Sequence, residues 1–173
     1  MVEINIAHQH YTEAMSKIIT ALGDIHEVHC QIEFWADHSQ SKIIRDFVGK
    51  IFDVHHVHAL WRGRFILITD ELINNAIEHG SAEDDIDSCV IHAGKGDNGL
   101  FQISLEVHDT GNGKDSWNVK NIIKIKENAK AGYGIYMGKR WRGLFHITEK
   151  LVDKLSFSES PKGGLAVKVE KTL

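Results

Sequence analysis

Asp70-Glu-Leu-Ile-Asn-Asn-Ala-Ile-Glu-His-Gly80 is a helix written in two stripes. Phe65, Ile68, Leu72, Ile73, Ala76 and Ile77 recur at the three-and-four spacing of one apolar face. Glu71, Asn75 and His79 stand four apart on another face, so a carboxylate, an amide and an imidazole line one groove. Gly80 is placed to cap the C-terminal end. By itself such a stretch is equally an amphipathic helix with a solvated polar side. Its meaning depends on the chain around it.

Upstream, Tyr11, Ala14, Met15, Ile18, Ile19 and Leu22 keep helical spacing, and Gly23 stops the run. Val28, Cys30, Ile32 and Phe34 then alternate with Glu27, His29, Gln31 and Glu33, the pattern of a half-buried strand. Asp37 or Ser39 can cap the next helix, whose apolar face is Ile43, Ile44, Phe47, Val48, Ile51 and Phe52. A His-rich joint, Asp53 to His58, leads into the long helix. The spacing of His55, His56 and His58 matches no metal-ligand motif, so a solvated connection is expected there.

Downstream, the acidic loop Ser81 to Asp87 reads as solvated. Cys89, Val90 and Ile91 begin a strand, and Gly94 to Gly99 is dense in turn formers. Phe101, Ile103, Leu105 and Val107 alternate with Gln102, Ser104, Glu106 and His108, which makes an antiparallel hairpin with one polar face. That strand delivers the chain into Asp109-Thr-Gly-Asn-Gly113. A polar stretch with Lys114, Lys120, Lys124, Lys126 and Lys130 follows, then the glycine cluster Ala131-Gly-Tyr-Gly-Ile-Tyr-Met137. Leu144, Ile147, Leu151 and Val152 mark a helical run. Leu155 and Phe157, the turn Pro161-Lys-Gly-Gly164, and Leu165, Val167 and Val169 make a closing hairpin.

Because the strands alternate, the sheet is not covered on both sides. The expected fold is an α/β two-layer sandwich, with a mixed, largely antiparallel sheet and helices on one face. The 173 residues carry a formal charge of −4, which argues against a nucleic-acid binder that works by bulk electrostatics. Cys30 and Cys89 form no CxxC pair, and two thiols suggest a reducing compartment. No apolar run approaches the roughly 20 residues that span a bilayer. The first residues lack a signal peptide's pattern. A cytoplasmic protein without membrane or direct nucleic-acid contact is expected.

Glu71…Asn75…His79, then Asp109-x-Gly111-x-Gly113, then a second glycine cluster resembles the GHKL (histidine kinase-like) ATPase superfamily. The closer likeness is to anti-sigma-factor serine kinases of the RsbW/SpoIIAB type. It runs from about Val28 to Val169 and implies a Bergerat-type ATP-binding fold. The domain is then expected over residues 26–173, preceded by an N-terminal helical extension over residues 1–25. The resemblance implies ATP and Mg²⁺ as cofactors. Asn75 would hold the Mg²⁺, and Glu71 would be the catalytic residue that orients or deprotonates the attacking group. His79 would join the cofactor-binding set. Asp109 would accept the adenine amino group, with Gly111 and Gly113 letting the backbone approach the base.

Gly132 and Gly134, or Gly143 in a second register, would cradle phosphate. One lysine of the intervening lid, or Arg140 or Arg142, would face the γ-phosphate. Two departures stand out. Trp141 replaces the first glycine in the Gly143 register, and Leu165 stands where the family has a threonine that helps hold adenine through water. The chemistry agrees with the resemblance. A hard cation with phosphates takes oxygen donors, a nearby carboxylate can accept a hydroxyl proton, and a glycine-rich helix start binds anions. The implied function is an ATP-dependent protein-serine kinase that phosphorylates a STAS-type anti-sigma antagonist, binds a sigma factor and forms a homodimer. The alternatives are a partner-sequestering module without phosphotransfer and a detached histidine-kinase catalytic domain.

Overall fold

The computed structural model describes residues 1–114, 116, 118–122 and 151–173. Six strands form one sheet: β1 (Val2–Asn5), β2 (Val28–Trp35), β3 (Ile86–Lys95), β4 (Phe101–His108), β5 (Lys154–Glu159) and β6 (Leu165–Thr172). Their order across the sheet is β1-β2-β3-β4-β6-β5. Only the β1–β2 pair is parallel; the other four are antiparallel. Helices α1 (Tyr11–Leu22), α2 (His38–Val54) and α3 (Ala59–Asn75) pack on one side. The architecture is the mixed, two-layer α/β sandwich that the alternation requires.

The period-two pattern sets the faces. Cys30, Ile32 and Phe34 of β2 point inward with Cys89 and Ile91 of β3 and Ile103, Leu105 and Val107 of β4, and all are buried. Against them lie Ile43, Ile44, Phe47 and Ile51 of α2 and Phe65, Ile68 and Leu72 of α3. The Phe52 ring meets those of Phe65 and Phe101, each at 5.2 Å between centroids. The outer face carries His29, Glu106 and Lys168. A face so polar stays in contact with water.

The helix ends follow their local chemistry. Asp37 caps α2 by accepting the Ser39 N–H at 2.8 Å. His58 caps α3 through Nδ1, which accepts the Leu60 N–H at 3.2 Å. The histidine joint is therefore partly a capping device. Gly23 closes α1 at φ 67°, with its N–H on the Ile19 carbonyl.

Two expectations change. The N-terminal 25 residues hold helix α1 as anticipated, but also β1, which adds to the sheet edge in register Ile4 with Ile32. Four residues are too few for periodicity to reveal. The 81–87 loop is not simply solvated, since Ser81 and Asp87 are buried. Gly132, Gly134, Gly143 and the arginines at 140 and 142 lie outside the described residues, as does most of the lysine-rich stretch.

Candidate nucleotide site

Helix α3 does not stop at Asn75. It continues as a π-helical turn, Ala76–Gly80, and Ser81 then leaves in extended conformation. Single π turns concentrate at functional sites because they re-aim side chains and backbone. Here the wider turn separates what the four-residue spacing groups together. Asn75 and Glu71 stay on the partly exposed polar side, where the Asn75 amide Nδ2 donates to Glu71 Oε1 at 3.2 Å. The bond uses the NH₂ end of the amide, so Oδ1 remains an oxygen donor. His79 instead turns inward and is only 5% exposed.

The end of this turn is pressed against the Asp109–Gly113 loop. The Gly113 N–H donates to the Gly80 carbonyl at 3.2 Å. A Cβ on Gly113 would overlap the His79 carbonyl, and one on Gly80 would overlap the Asp109 carboxylate. Gly80 is therefore glycine for lack of room, rather than as a left-handed cap. Gly111 has φ 76°, and its α-carbon faces the Gly163–Gly164 backbone. Three segments distant in sequence thus converge around the Asp109 side chain.

Asp109 sits at their junction, following β4 and 7% exposed. Its Oδ1 accepts two backbone N–H groups, from Gly111 at 3.0 Å and Leu165 at 2.8 Å. Among the described residues, Oδ2 has no hydrogen-bond donor, and it lies against Gly80. Burial pushes the carboxyl up to about 6, while the Leu165 and Gly111 hydrogen bonds pull the other way. At neutral pH it is an ionised, water-poor acceptor. It suits an exocyclic amino group flanked by an apolar ring.

The sequence alone missed the support beneath this loop. Ser81 Oγ donates to Asp87 Oδ1 at 2.5 Å. It receives the Thr110 N–H at 3.2 Å. Burial pushes Asp87 up to about 7, aided by repulsion from Asp109 and Asp85 and opposed by the Ser81 bond. One signal was available: residue 87 has the inward parity of Cys89 and Ile91, and an acid there must be buried.

His55 packs on Phe101 at 4.6 Å between centroids, and no group of three or more metal-ligating side chains occurs among the described residues. A hollow of about 520 Å³ lies on the outer sheet face, lined by Glu27, His29, His92, Gln102 and Glu170. It includes none of the residues above.

A mixed sheet backed by helices, with a DxGxG loop, a Gly-Gly turn and the π turn that ends the Glu-x-x-x-Asn helix meeting at one end, is the layout of a GHKL-type ATPase domain. The chain belongs to the histidine kinase-like ATPase domain family, whose profile matches residues 34–171. Its fold is similar to that of a chain in the crystal structure of the SiaB-SiaC complex from Pseudomonas aeruginosa. The TM-score is 0.52 at 11% identity, over 93% of this chain and 97% of that one. No curated protein matches the chain. No helix among the described residues is long and apolar enough to cross a membrane.

Proposed function

We propose that the protein is a cytoplasmic, ATP-dependent protein-serine kinase that phosphorylates a STAS-type anti-sigma antagonist and binds a sigma factor, working as a homodimer. The observation that carries the nucleotide part is Asp109: one oxygen is fixed by two backbone donors and the other is left for a base. Family membership supports ATP as the ligand. That the structural neighbour was crystallised as a two-protein complex supports a protein partner.

In this reading the adenine amino group donates to Asp109 Oδ2. Gly111 and Gly113 let the loop pack on the Gly163–Gly164 backbone and the His79 carbonyl, and in this reading their backbone approaches the base. His79 completes the wall by its carbonyl and its buried ring. Asn75 Oδ1 is the oxygen that would hold Mg²⁺, and a lone amide suffices for an ion that keeps phosphate and water ligands. When bound, Mg²⁺ neutralises charge on the β- and γ-phosphates. Glu71 holds the Asn75 amide and accepts the proton of the attacking serine hydroxyl. Gly132 and Gly134, with Gly143 as rival, are the proposed phosphate cradle. Residues 26–173 form the proposed nucleotide-binding unit.

The test is transfer of label from [γ-³²P]ATP to a STAS-type protein. Acid-stable phosphoserine that disappears in Asn75→Ala is expected. Transfer that persists in that variant would refute the role of Asn75, and acid-labile phosphohistidine would point to a histidine-kinase domain. A second reading is favoured by Leu165, whose buried side chain offers no hydroxyl where a threonine would hold water on the base. It makes the chain a partner-sequestering module, and partner binding without phosphotransfer would support it.

A further inference from the structure

We propose that Asp85, by accepting the Thr110 hydroxyl, is the positioning residue that fixes the Asp109 carboxylate and so sets selectivity for adenine. This deepens the nucleotide reading and rests on Asp109 as the base-binding group.

Thr110 directly follows Asp109, and distance assigns a partner to each of its two donors, the backbone N–H and the hydroxyl. Ser81 spends its one hydroxyl proton on Asp87, so its oxygen is an acceptor and takes the Thr110 N–H. The Thr110 hydroxyl then has one proton to place. Asp85 Oδ2 lies at 2.5 Å and Ser81 Oγ at 3.2 Å, so the proton goes to Asp85. The same Asp85 oxygen accepts the Ala82 N–H at 2.9 Å and the Asn112 amide at 3.2 Å.

Asp85 thus grips residues on both sides of Gly111. The Thr110 hydrogen bond holds its carboxyl below the usual carboxylate range, helped by Ala82 and Asn112 and opposed by burial. All three bonds go to an ionised acceptor, and the one from Thr110 is the shortest.

Asp85 is itself anchored. Its carbonyl accepts the Ala36 N–H at 2.9 Å, where β2 gives way to α2, and its N–H donates to the Ala82 carbonyl at 3.2 Å. The grip therefore refers the loop to the connections that flank β2 and β3. Base recognition needs that. An acceptor must be held to about half an ångström to discriminate between ligands. Adenine offers a donor at this edge and guanine a carbonyl, so a fixed Asp109 Oδ2 attracts one and repels the other. A loosened one turns away from both.

The test is a double-mutant cycle on ATP and GTP affinity, read by calorimetry with Mg²⁺ alongside melting temperature. Asp85→Ala and Thr110→Val each weaken ATP about tenfold, or about 1.4 kcal/mol. GTP stays within about twofold, so selectivity collapses. The double variant loses no more than Asp85→Ala alone, because that change already removes the bond Thr110→Val deletes. Thr110→Ser, which keeps the hydroxyl, restores wild-type selectivity.

The proposal is overturned if either single variant binds ATP within twofold of wild type, if the two losses add, or if ATP and GTP weaken in parallel with melting temperature. Wild-type protein that is folded yet binds neither nucleotide overturns the underlying reading of Asp109 instead, and this one with it. Thr110→Val keeps the backbone contacts, so the cycle survives if Asp85→Ala fails to fold.

Discussion

Two buried carboxyls, Asp87 and Asp109, meet beneath the glycine loop, and they make opposite demands on pH. Asp109 must be ionised to accept an amino group, and burial places its titration near 6. At pH 5 only about a tenth is ionised, so ATP affinity falls about tenfold relative to pH 8. Calorimetry across that range checks this, and Asp109→Asn lacks the step.

Asp87 works through stability. Its carboxyl in the folded chain is raised to about 7 from the 3.8 of a free aspartate. The folded state therefore holds a proton that the unfolded chain has lost. Stability is full below about pH 4 and is lost as pH rises through 7. Asp87→Asn keeps an acceptor for Ser81 and abolishes the burden of burying charge. Its melting temperature should exceed wild type by about 5 °C at pH 8 and match it only below about pH 4, on the scale of about 2 kcal/mol. Equal shifts at both pH values would contradict the assignment.

At the scale of elements, the joint between the π turn and the DxGxG loop decides the site. Gly113→Ala forces a methyl group onto the His79 carbonyl. A backbone atom cannot rotate away as a side-chain end can, so the loop must shift. We expect a melting temperature several degrees lower, for a loss of about 1–3 kcal/mol, and ATP binding weakened more than that loss implies. Thermal melts with and without ATP separate the two effects.

The elements themselves were legible because each carries its period openly. Val28 to Phe34 and Phe101 to Val107 alternate, Ile43 to Phe52 repeats at helical spacing, and both end-capping aspartate and glycine behave as their chemistry dictates. The π turn was not legible. Nothing in Ala76 to Gly80 departs from an α-helical pattern, and the loop packed against it lies far away in sequence. His79 accordingly leaves the stripe that spacing assigned to it. Ser81 to Asp87 misled for the related reason that an acidic run reads as solvated unless strand parity is extended back through it.

For the whole molecule, the sheet is a platform that faces two ways. Helices seal one face into a core of Phe34, Phe47, Phe52 and Phe65, all fully buried. The other face is charged and wet. The site forms at one end of the sandwich, where β4, the β5–β6 turn and the end of α3 arrive together. Each contributes a position where side chains are absent or backbone-bound. A core this regular needs no ligand to hold its shape. The Asp109 carboxylate is buried against its own solvation, with one oxygen tying the loop to β6, and the proposed function gives its other oxygen to a base.

That claim is tested most directly by titrating the full chain with Mg·ATP in a calorimeter, as wild type and as Asp109→Asn. The variant keeps the backbone-bound oxygen but sets an amide NH₂ where the adenine amino group should donate. Saturable binding by the wild type, weakened at least tenfold in Asp109→Asn with the fold intact, is the predicted result. Equal binding by both proteins, or no heat from a folded wild type at millimolar nucleotide, would contradict the account.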